Sequence, residues 1–341
     1  MVVEIGSEIR IRDASKELYD WAQENLIIPN PQYRERERRG LWVGNTPKYL
    51  WLYHVDGSDL IVPTGVGKQV RQFLSEKDQI YVHLADNGLL DYKGTIPLYD
   101  YQKEAVEVMQ RTSCGILQSP CGSGKTQMGI ALAAELGRKV LWVTHTQDLL
   151  IQSKTRAEQY FSSETLGTIT AGKAQVGSHI TFATVQTLCK MDLEQFRYTW
   201  DVVIVDECHR LAGSPTQVTM FYKVMNSLAA RHKYGLSATV HRSDGMIKST
   251  FAVLGPVIYK VPDEAVADKT MQVRILQRNT DITVSRSCLD TDGTLDYNEL
   301  LSYLGGNRER NEMIVKDLVS QKGHSCLILA SRLEQLRNIR D

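Results

Sequence analysis

Short apolar runs alternate with helix-length amphipathic stretches over the middle of the chain, from about residue 98 to residue 259. The runs are rich in β-branched residues and predict strands, while the stretches between them, such as residues 126–136, predict helices. Strands are predicted over residues 114–117, 139–143, 180–183 and 202–205. This alternation predicts an α/β fold in which helices cover both faces of a parallel sheet.

The pattern changes on both sides of this region. Residues 1–95 mix tryptophan, tyrosine and short alternating runs bounded by Gly, Pro and Asp, and predict a small α+β unit. After about residue 261 the pattern loosens, then resumes with a predicted strand at 272–277, a helix at 308–320 and a strand at 325–329. We therefore predict an N-terminal α+β accessory domain, a parallel-sheet domain, and a linker that leads into a second, incomplete α/β domain, over residues 1–95, 96–260 and 261–341.

Composition adds few constraints. With 42% hydrophobic and 23% charged residues among 341, the chain has the composition of a soluble globular protein. Forty basic residues balance forty acidic ones, so net charge neither supports nor excludes a nucleic-acid partner. No run approaches the about 20 apolar residues of a membrane helix, so we expect no membrane association. The six scattered cysteines form no Cys-x-x-Cys pair and predict reduced thiols in the cytoplasm.

A segment with the chemistry of a phosphate-binding loop follows the predicted strand at 114–117. It reads Ser119-Pro120-Cys121-Gly122-Ser123-Gly124-Lys125-Thr126. The Walker A pattern fits, except that Ser119 occupies the first glycine position. In such a loop, backbone N–H groups surround the phosphates, Lys125 supplies a cation to the β- and γ-phosphates, and the Thr126 hydroxyl binds Mg²⁺. The segment therefore predicts ATP and Mg²⁺ as cofactors.

Two acids follow the predicted strand at 202–205, in the sequence Asp206-Glu207-Cys208-His209. The carboxyl end of a buried parallel strand lies beside the phosphate loop, where Asp206 is expected to hold Mg²⁺ through water. Glu207 is then placed to orient the attacking water and accept its proton. The two acids together predict nucleotide hydrolysis.

These segments resemble the superfamily 2 DNA and RNA helicases of the DEAD/DEAH type, here with a D-E-C-H box, over residues 98–341. The resemblance implies a RecA-like P-loop NTPase domain followed by the beginning of a second RecA-like domain. It implies that Gln102 reads adenine and that His209 belongs to the catalytic group with Lys125, Asp206 and Glu207. Ser237-Ala238-Thr239 is similar to the family's motif III, which couples hydrolysis to strand movement.

Other segments are similar to motifs that contact nucleic acid in this family. Residues 141–152 and 184–188 resemble motifs Ia and Ib, which implies backbone contacts by Thr144, Gln152, Thr184 and Gln186. Residues 241–245 are similar to the Arg-x-Asp segment of the XPB-like helicases and of phage branched-DNA helicases such as UvsW. This implies that Arg242 and Asp244 act at the strand-separating side, and that the substrate is DNA.

The N-terminal part resembles the substrate-binding domain that precedes the motor in that branch. Its residues also suggest a DNA contact, because four arginines can bind phosphates while Tyr33 and Trp42 stack on bases. The four arginines are Arg34, Arg36, Arg38 and Arg39. The glutamates between them equally fit a solvated face with internal ion pairs.

We expect an ATP-dependent DNA helicase or translocase that remodels branched or duplex DNA, in repair or recombination, in a bacterial or phage-infected cell. Residues 325–332 resemble motif IV, but motifs V and VI, with their arginine finger, have no counterpart in the 341 residues. The chain alone is therefore expected to hydrolyse ATP poorly. A nucleotide-gated DNA-binding module and an RNA helicase remain as alternatives, and restriction-type translocases share these motifs.

Overall fold

A computed structural model describes residues 1–170, 172–212, 214–240, 245–267, 274–289 and 293–340. The chain divides into two compact units, Met1–Gln272 and Val273–Asp341. The first unit holds both the N-terminal and the central predicted parts, so the boundary at residue 95 stays a prediction. None of the described helices is long and apolar enough to cross a membrane.

Strands and helices occupy the following positions in the described part of the chain. The strands are β1 (Val2–Ile5), β2 (Glu8–Arg12), β3 (Ile27–Pro29), β4 (Tyr49–Trp51), β5 (His54–Asp56), β6 (Asp59–Pro63), β7 (Gln79–Val82), β8 (Cys114–Gln118), β9 (Val140–Thr144), β10 (Leu166–Thr170), β11 (Lys173–Gln175), β12 (Ile180–Thr184), β13 (Val202–Val205), β14 (His232–Ser237) and β15 (Val257–Lys260). The helices are α1 (Lys16–Asn25), α2 (Pro31–Arg38), α3 (Gly67–Arg71), α4 (Asp100–Gln110), α5 (Lys125–Leu136), α6 (Gln147–Ala157), α7 (Val185–Leu188), α8 (Pro215–Ser227), α9 (Ile247–Leu254), α10 (Tyr297–Gly306), α11 (Arg308–Ser320) and α12 (Leu333–Arg340).

The central sheet has the strand order β11-β10-β12-β9-β13-β14-β8-β15. Every neighbouring pair in it is parallel except β10 with β11. The predicted strands at 114–117, 139–143, 180–183 and 202–205 correspond to β8, β9, β12 and β13, and the helix predicted at 126–136 corresponds to α5. The predicted α/β fold with a mainly parallel sheet is confirmed.

Burial on both faces explains why the central strands are apolar without alternation. In β9, Val140 and Trp142 belong to one core cluster, while Leu141 and Val143 belong to another. Successive side chains of a strand point to opposite faces, so the two clusters lie on the two sides of the sheet. A strand buried on both sides has no solvent face that would need polar residues.

The N-terminal sheet has the order β5-β6-β2-β1-β7, with β1 and β7 parallel and the other pairs antiparallel. Strands β3 and β4 form a separate antiparallel ribbon. The core of this part also includes Ala212, Val218, Met246 and Ala252, which come from the central part of the chain. The α+β content predicted for residues 1–95 is therefore present, and its core is continuous with that of the following residues.

The second unit contains α10, α11 and α12, and α11 coincides with the helix predicted at 308–320. The strands predicted at 272–277 and 325–329 are wrong for the described residues, because residues 274–277 and 325–329 are not in strands. A strand requires a neighbouring strand for its backbone hydrogen bonds, and within the described residues of this unit neither segment has one. Leu327 and Leu329 are exposed as a result. The beginning of a second RecA-like domain stays a prediction.

Candidate nucleotide and nucleic-acid site

The predicted phosphate loop connects β8 to the first residue of α5. Gly122 and Gly124 have φ angles of 80° and 84°, in the left-handed region that favours glycine. Ser119 is fully buried, and its Oγ lies 2.5 Å from the Oγ of Ser123. The Ser123 hydroxyl also donates to the carbonyl oxygen of Pro120 at 2.7 Å. The serine that replaces the first motif glycine therefore stabilises the loop through a hydrogen bond inside it. The loop precedes the N-terminus of α5, which is suited to binding an anion.

Gln102, the predicted adenine reader, lies against this loop. Its side-chain amide donates to the carbonyl oxygen of Ser123 at 2.8 Å, and its Oε1 accepts a hydrogen bond from the backbone N–H of Tyr99 at 2.9 Å. A Cβ on Gly124 would lie 2.5 Å from Gln102 Nε2, so this close approach requires glycine. Gln102 thus connects the start of α4 to the phosphate loop, and its contact with adenine stays a prediction.

The acids after β13 and the phosphate loop come together in one site. Lys125 Nζ lies 3.5 Å from Glu207 Oε1, and the lysine side chain is only 9% exposed. Glu207 has a φ of 47°, an unusual value for a residue other than glycine. His209 Nδ1 lies 3.4 Å from the other oxygen of the same carboxylate. The structure thus brings together three of the four residues predicted to be catalytic, and Asp206 precedes Glu207 directly.

Asp206 is buried, and two donors contact its carboxylate. Ser153 donates its hydroxyl to Oδ2 at 3.3 Å, and the backbone N–H of Glu207 donates to Oδ1 at 3.0 Å. Burial, followed by the nearby charge of Glu207, raises the pKa of Asp206 to about 6. A bound cation would stabilise a carboxylate whose charge is disfavoured in this way.

The residues available for a metal ion fit Mg²⁺. Asp206 and Thr126 line the same cleft and offer the oxygen ligands that Mg²⁺ prefers. No group of three or more His, Cys, Asp or Glu side chains among the described residues is arranged to hold a metal ion. This suits Mg²⁺, which is usually held by one or two protein oxygens together with substrate phosphates and water.

The site forms a cleft of about 780 Å³, a size suited to a small-molecule ligand. Its walls are formed by Pro97, Leu98, Tyr99, Tyr101, Gln102, the loop residues 122–127, Leu149, Gln152, Arg156, Asp206 and Glu207. The sequence motifs did not reveal Tyr99 or Arg156. Helical spacing relates Arg156 to Gln152, because it lies four residues later on α6.

The residues similar to motif III contact His209 from the neighbouring strand β14. His209 Nδ1 lies 2.8 Å from the hydroxyl oxygen of Ser237, the last residue of β14. Ser237 is fully buried and donates its hydroxyl to the carbonyl oxygen of Thr239 at 2.6 Å. The backbone N–H of Ser119 donates to the carbonyl oxygen of Ser237 at 2.8 Å. Hydrogen bonds and ion pairs therefore connect Lys125 to residues 237–239, and Ala238 lies half-buried between Ser237 and Thr239.

Part of the chain is similar in sequence to known proteins. Residues 95–242 match the family model of the type III restriction enzyme, res subunit. The DNA 3′-5′ translocase XPB2 of Sulfurisphaera tokodaii is 29% identical over 207 residues, 59% of this chain and 45% of that protein. The DNA 3′-5′ helicase XPB of Mycobacterium tuberculosis is 26% identical over 174 residues, 48% of this chain and 30% of that protein. The matches thus cover less than half of each relative.

A solved structure extends the likeness along nearly the whole chain. The crystal structure of T4 UvsW aligns with 99% of this chain and 72% of its own, at 19% identity and a TM-score of 0.55. The chain is therefore similar in sequence to XPB helicases and translocases, and similar in fold to T4 UvsW. At this identity the T4 structure supports the shared fold.

The residues predicted from superfamily 2 motifs Ia and Ib lie side by side. Thr144 and Thr184 end the neighbouring strands β9 and β12 and are partners in register. Both are buried, and their hydroxyls bind within the protein, to Thr146 O at 3.0 Å and to Thr187 Oγ1 at 2.9 Å. Gln186 is half-buried and donates to the carbonyl oxygen of His145 at 2.8 Å. Gln152 instead lines the nucleotide cleft.

Other superfamily 2 segments predicted to contact DNA are described only in part. Arg242 and Asp244 lie outside the described residues. Of the four N-terminal arginines, Arg38 and Arg39 form ion pairs with Glu35 at 3.0 and 2.6 Å. The ion-paired alternative therefore applies to these two, whereas Arg34 is an exposed residue of α2 and Trp42 is 85% exposed. Arg36 donates to the carbonyl oxygen of Trp42 at 3.4 Å.

Proposed function

We propose that this chain is the ATP-binding lobe of a DNA helicase or translocase that couples MgATP hydrolysis to strand separation or remodelling of branched or duplex DNA. The observation that carries the proposal is the cleft in which Lys125 of the phosphate loop meets Glu207 and the buried Asp206. The similarity to XPB proteins, which are named DNA 3′-5′ translocase and DNA 3′-5′ helicase, supports DNA as the substrate.

Different residues of the cleft perform the different steps of ATP hydrolysis. The phosphate loop and the N-terminus of α5 bind the phosphates, and Thr126 and Asp206 hold Mg²⁺. Mg²⁺, when bound, neutralises charge that develops on the phosphates. The γ-phosphate replaces Glu207 as the partner of Lys125, because it carries more negative charge than one carboxylate. Glu207 is then released to orient water and accept its proton.

Coupling to DNA uses the connection from Glu207 through His209 to Ser237. When Glu207 changes its partner from lysine to water, the carboxylate oxygen that faces His209 changes its interaction too. His209 transmits this change to Ser237, whose hydroxyl also holds Thr239. Through residues 237–239, the state of the bound nucleotide then changes the affinity for DNA.

Glu207→Gln tests the assignment of the base. The variant keeps the size of the side chain but cannot accept the proton, so we expect ATP turnover to fall by about 100-fold or more, with MgATP binding retained. Turnover is measured as phosphate release with and without forked DNA, and Glu194→Gln, on an exposed acid paired with Arg197, is the control. Undiminished turnover in Glu207→Gln would remove the assignment.

The nucleic-acid substrate is tested by comparing forked DNA, duplex DNA, single-stranded DNA and RNA in the same assay. We expect forked or duplex DNA to stimulate turnover most. A preference for RNA would replace the DNA proposal with that of an RNA helicase.

A nucleotide-gated DNA-binding module is the second candidate. It is favoured by the lack of a Gly-Arg-x-x-Arg stretch in the 341 residues, and we propose that the chain alone hydrolyses ATP slowly for the same reason. DNA affinity that changes with MgATP while no phosphate is released would favour this candidate. Slow release that DNA stimulates and Glu207→Gln abolishes would favour the helicase.

The remaining parts complete the proposal. Residues 1–95 form an accessory DNA-binding domain through Arg34, Arg36 and Trp42, residues 96–260 form the RecA-like lobe, and residues 261–341 form a linker and part of a second RecA-like domain. All six cysteines lie among the described residues and none is in a disulfide. Reduced thiols and a DNA substrate fit the cytoplasm of a bacterial or phage-infected cell.

A further inference from the structure

One wall of the nucleotide cleft comes from helix α6. Leu149, Gln152 and Arg156 line the cleft and follow one another at spacings of three and four residues, which places them on one face of the helix. The adjacent face of the helix is fixed, because Ser153 is buried and donates to Asp206, and Ala157 is fully buried. The cleft-facing residues are therefore presented from a rigid support.

Arg156 is the one cation besides Lys125 that lines the cleft among the described residues. It donates to the neutral side-chain oxygen of Gln159 at 3.1 Å, and no described carboxylate lies within 4.0 Å of it. Lys154, two residues earlier on the same helix, instead pairs with Glu158 at 2.5 Å. A guanidinium without a carboxylate partner, at the wall of a phosphate-binding cleft, is suited to an anionic ligand.

The position of Arg156 along the cleft indicates which part of the nucleotide it meets. Ser153 and Asp206 mark the end where the metal and terminal phosphates bind. The segment that follows α6 is joined to the opposite wall, because Gln127 Nε2 donates to the Tyr160 hydroxyl at 2.8 Å and to the Pro97 carbonyl oxygen at 3.2 Å. Arg156 is in the last turn of α6, three residues after Ser153 and four residues before Tyr160, so it lies nearer the Pro97 wall than Ser153 does.

We propose that Arg156, assisted by Gln152, binds the nucleotide at its ribose and α-phosphate. The proposal rests on the proposed function, since it names further residues of the same ATP site. It also reassigns Gln152, which the motif resemblance linked to nucleic acid. Because the ribose and α-phosphate are common to ATP and ADP, the contact stabilises both nucleotides equally.

The test measures binding of MgATP and MgADP to the whole chain by calorimetry. We expect Arg156→Ala to weaken both by about tenfold, the effect of losing a charge-assisted hydrogen bond. Arg156→Lys should recover part of the loss, because it restores the charge without the planar fork. Lys154→Ala, on the same helix but outside the cleft, should bind both nucleotides as the wild type does. In turnover, KM should rise in Arg156→Ala while kcat is unchanged, as for binding made equally in ground and transition states.

The outcomes separate this proposal from the function on which it rests. Wild-type chain that binds neither MgATP nor MgADP would contradict the proposed function. If the wild type binds and Lys125→Ala abolishes binding, equal affinities of Arg156→Ala and wild type would overturn only the role of Arg156. A loss confined to MgATP would overturn the ribose and α-phosphate position, because it would place Arg156 at the γ-phosphate.

Discussion

Ser119 illustrates how single residues depart from a motif without loss of its geometry. The first position of the phosphate loop does not need left-handed backbone here, since the positive φ angles belong to Gly122 and Gly124. The serine side chain is accommodated by a hydrogen bond to Ser123, inside the loop. The motif therefore predicted the position of this loop between a strand and a helix, and its binding of phosphate stays a prediction. It gave no sign of Ser153, which reaches Asp206 from 53 residues away in the chain.

Ser153→Ala is expected to weaken the metal site. Ser153 acts through Asp206, so removing its hydroxyl leaves one carboxylate oxygen without that donor and free to reorient. Loss of a partner that orients a metal ligand costs 10- to 100-fold in metal affinity. Because the hydrogen bond from Ser153 is long, at 3.3 Å, we expect the lower end of this range, about tenfold. The measurement is nucleotide binding as a function of Mg²⁺ concentration, in which half-maximal binding should need about tenfold more Mg²⁺.

A matched control for this variant is Ser227→Ala. Ser227 also donates its hydroxyl, at 2.7 Å, but to the carbonyl oxygen of Lys223 in α8. Its Mg²⁺ dependence should equal that of the wild type. Equal Mg²⁺ dependence of Ser153→Ala and wild type would show that Ser153 has no part in positioning Asp206.

At the scale of elements, apolar patterning predicted the strands whose side chains pack on both faces and missed β14. This strand contains His232 and Lys233, which the sequence presents as solvated residues. Lys233 is nevertheless 2% exposed, because its ammonium donates to the carbonyl oxygens of Ser7 at 3.0 Å and Met225 at 2.8 Å. Ser7 lies in the turn between β1 and β2, and Met225 lies in α8. The sequence around Lys233 therefore could not predict these acceptors. The strand predicted at 325–329 failed for the converse reason, since apolar pattern does not supply a neighbouring strand.

The buried Lys233 should make stability depend on pH. Burial lowers its pKa to about 7, and attraction to Glu8 opposes this only in part. A lysine in the unfolded chain has a pKa near 10.4, so between about pH 7 and pH 10 the unfolded chain binds more protons. Stability therefore rises with pH across this window, by up to ~1.4 kcal/mol per unit. Urea unfolding at pH 7.5 and pH 9 measures the slope.

Lys233→Met should flatten this pH dependence, because methionine cannot take up the proton in either state. Exposed Lys190→Met is the control and should keep the wild-type slope. The slope is compared, rather than the absolute stability, since Lys233→Met also leaves two carbonyl oxygens without their donor. A slope equal to that of the wild type in Lys233→Met would contradict the lowered pKa.

At the scale of the whole molecule, a segment that no motif indicated joins the two parts of the first unit: residues 84–98, called the arm here, which contain no helix or strand. Backbone N–H groups of Ala85 and Leu90 donate to the carbonyl oxygens of Ala229 and Gly137, both at 2.8 Å. The arm connects β7 to α4 in the sequence. It is hydrogen-bonded to the residues that precede β14 and β9 of the central sheet. The sequence predicted the boundary near residue 95 from a change in composition, which does not reveal how tightly the flanking segments pack.

Asp201 is the residue through which the arm can be tested. It is fully buried and accepts hydrogen bonds from the backbone N–H of Asn87 at 2.8 Å, the Asn87 side chain at 3.1 Å and the backbone N–H of Lys139 at 3.2 Å. Asp201→Ala leaves these donors without their acceptor and should lower the free energy of unfolding by about 3 kcal/mol. Asp20→Ala, on an exposed position of α1, should change it by no more than about 0.5 kcal/mol.

Tryptophan fluorescence reports the unfolding of the first unit alone in the Asp201→Ala experiment. All five tryptophans lie within it: Trp21, Trp42 and Trp51 in the N-terminal part, and Trp142 and Trp200 in the central sheet region. Because the arm and a shared core join the two parts, we expect one urea transition for the wild type, shifted to lower urea in Asp201→Ala. Since Asp201 fixes the arm, the variant should also be cleaved faster by protease within residues 84–98. Two separate transitions in the wild type would mean that the N-terminal part folds independently, and the arm would then be a linker rather than a structural connection.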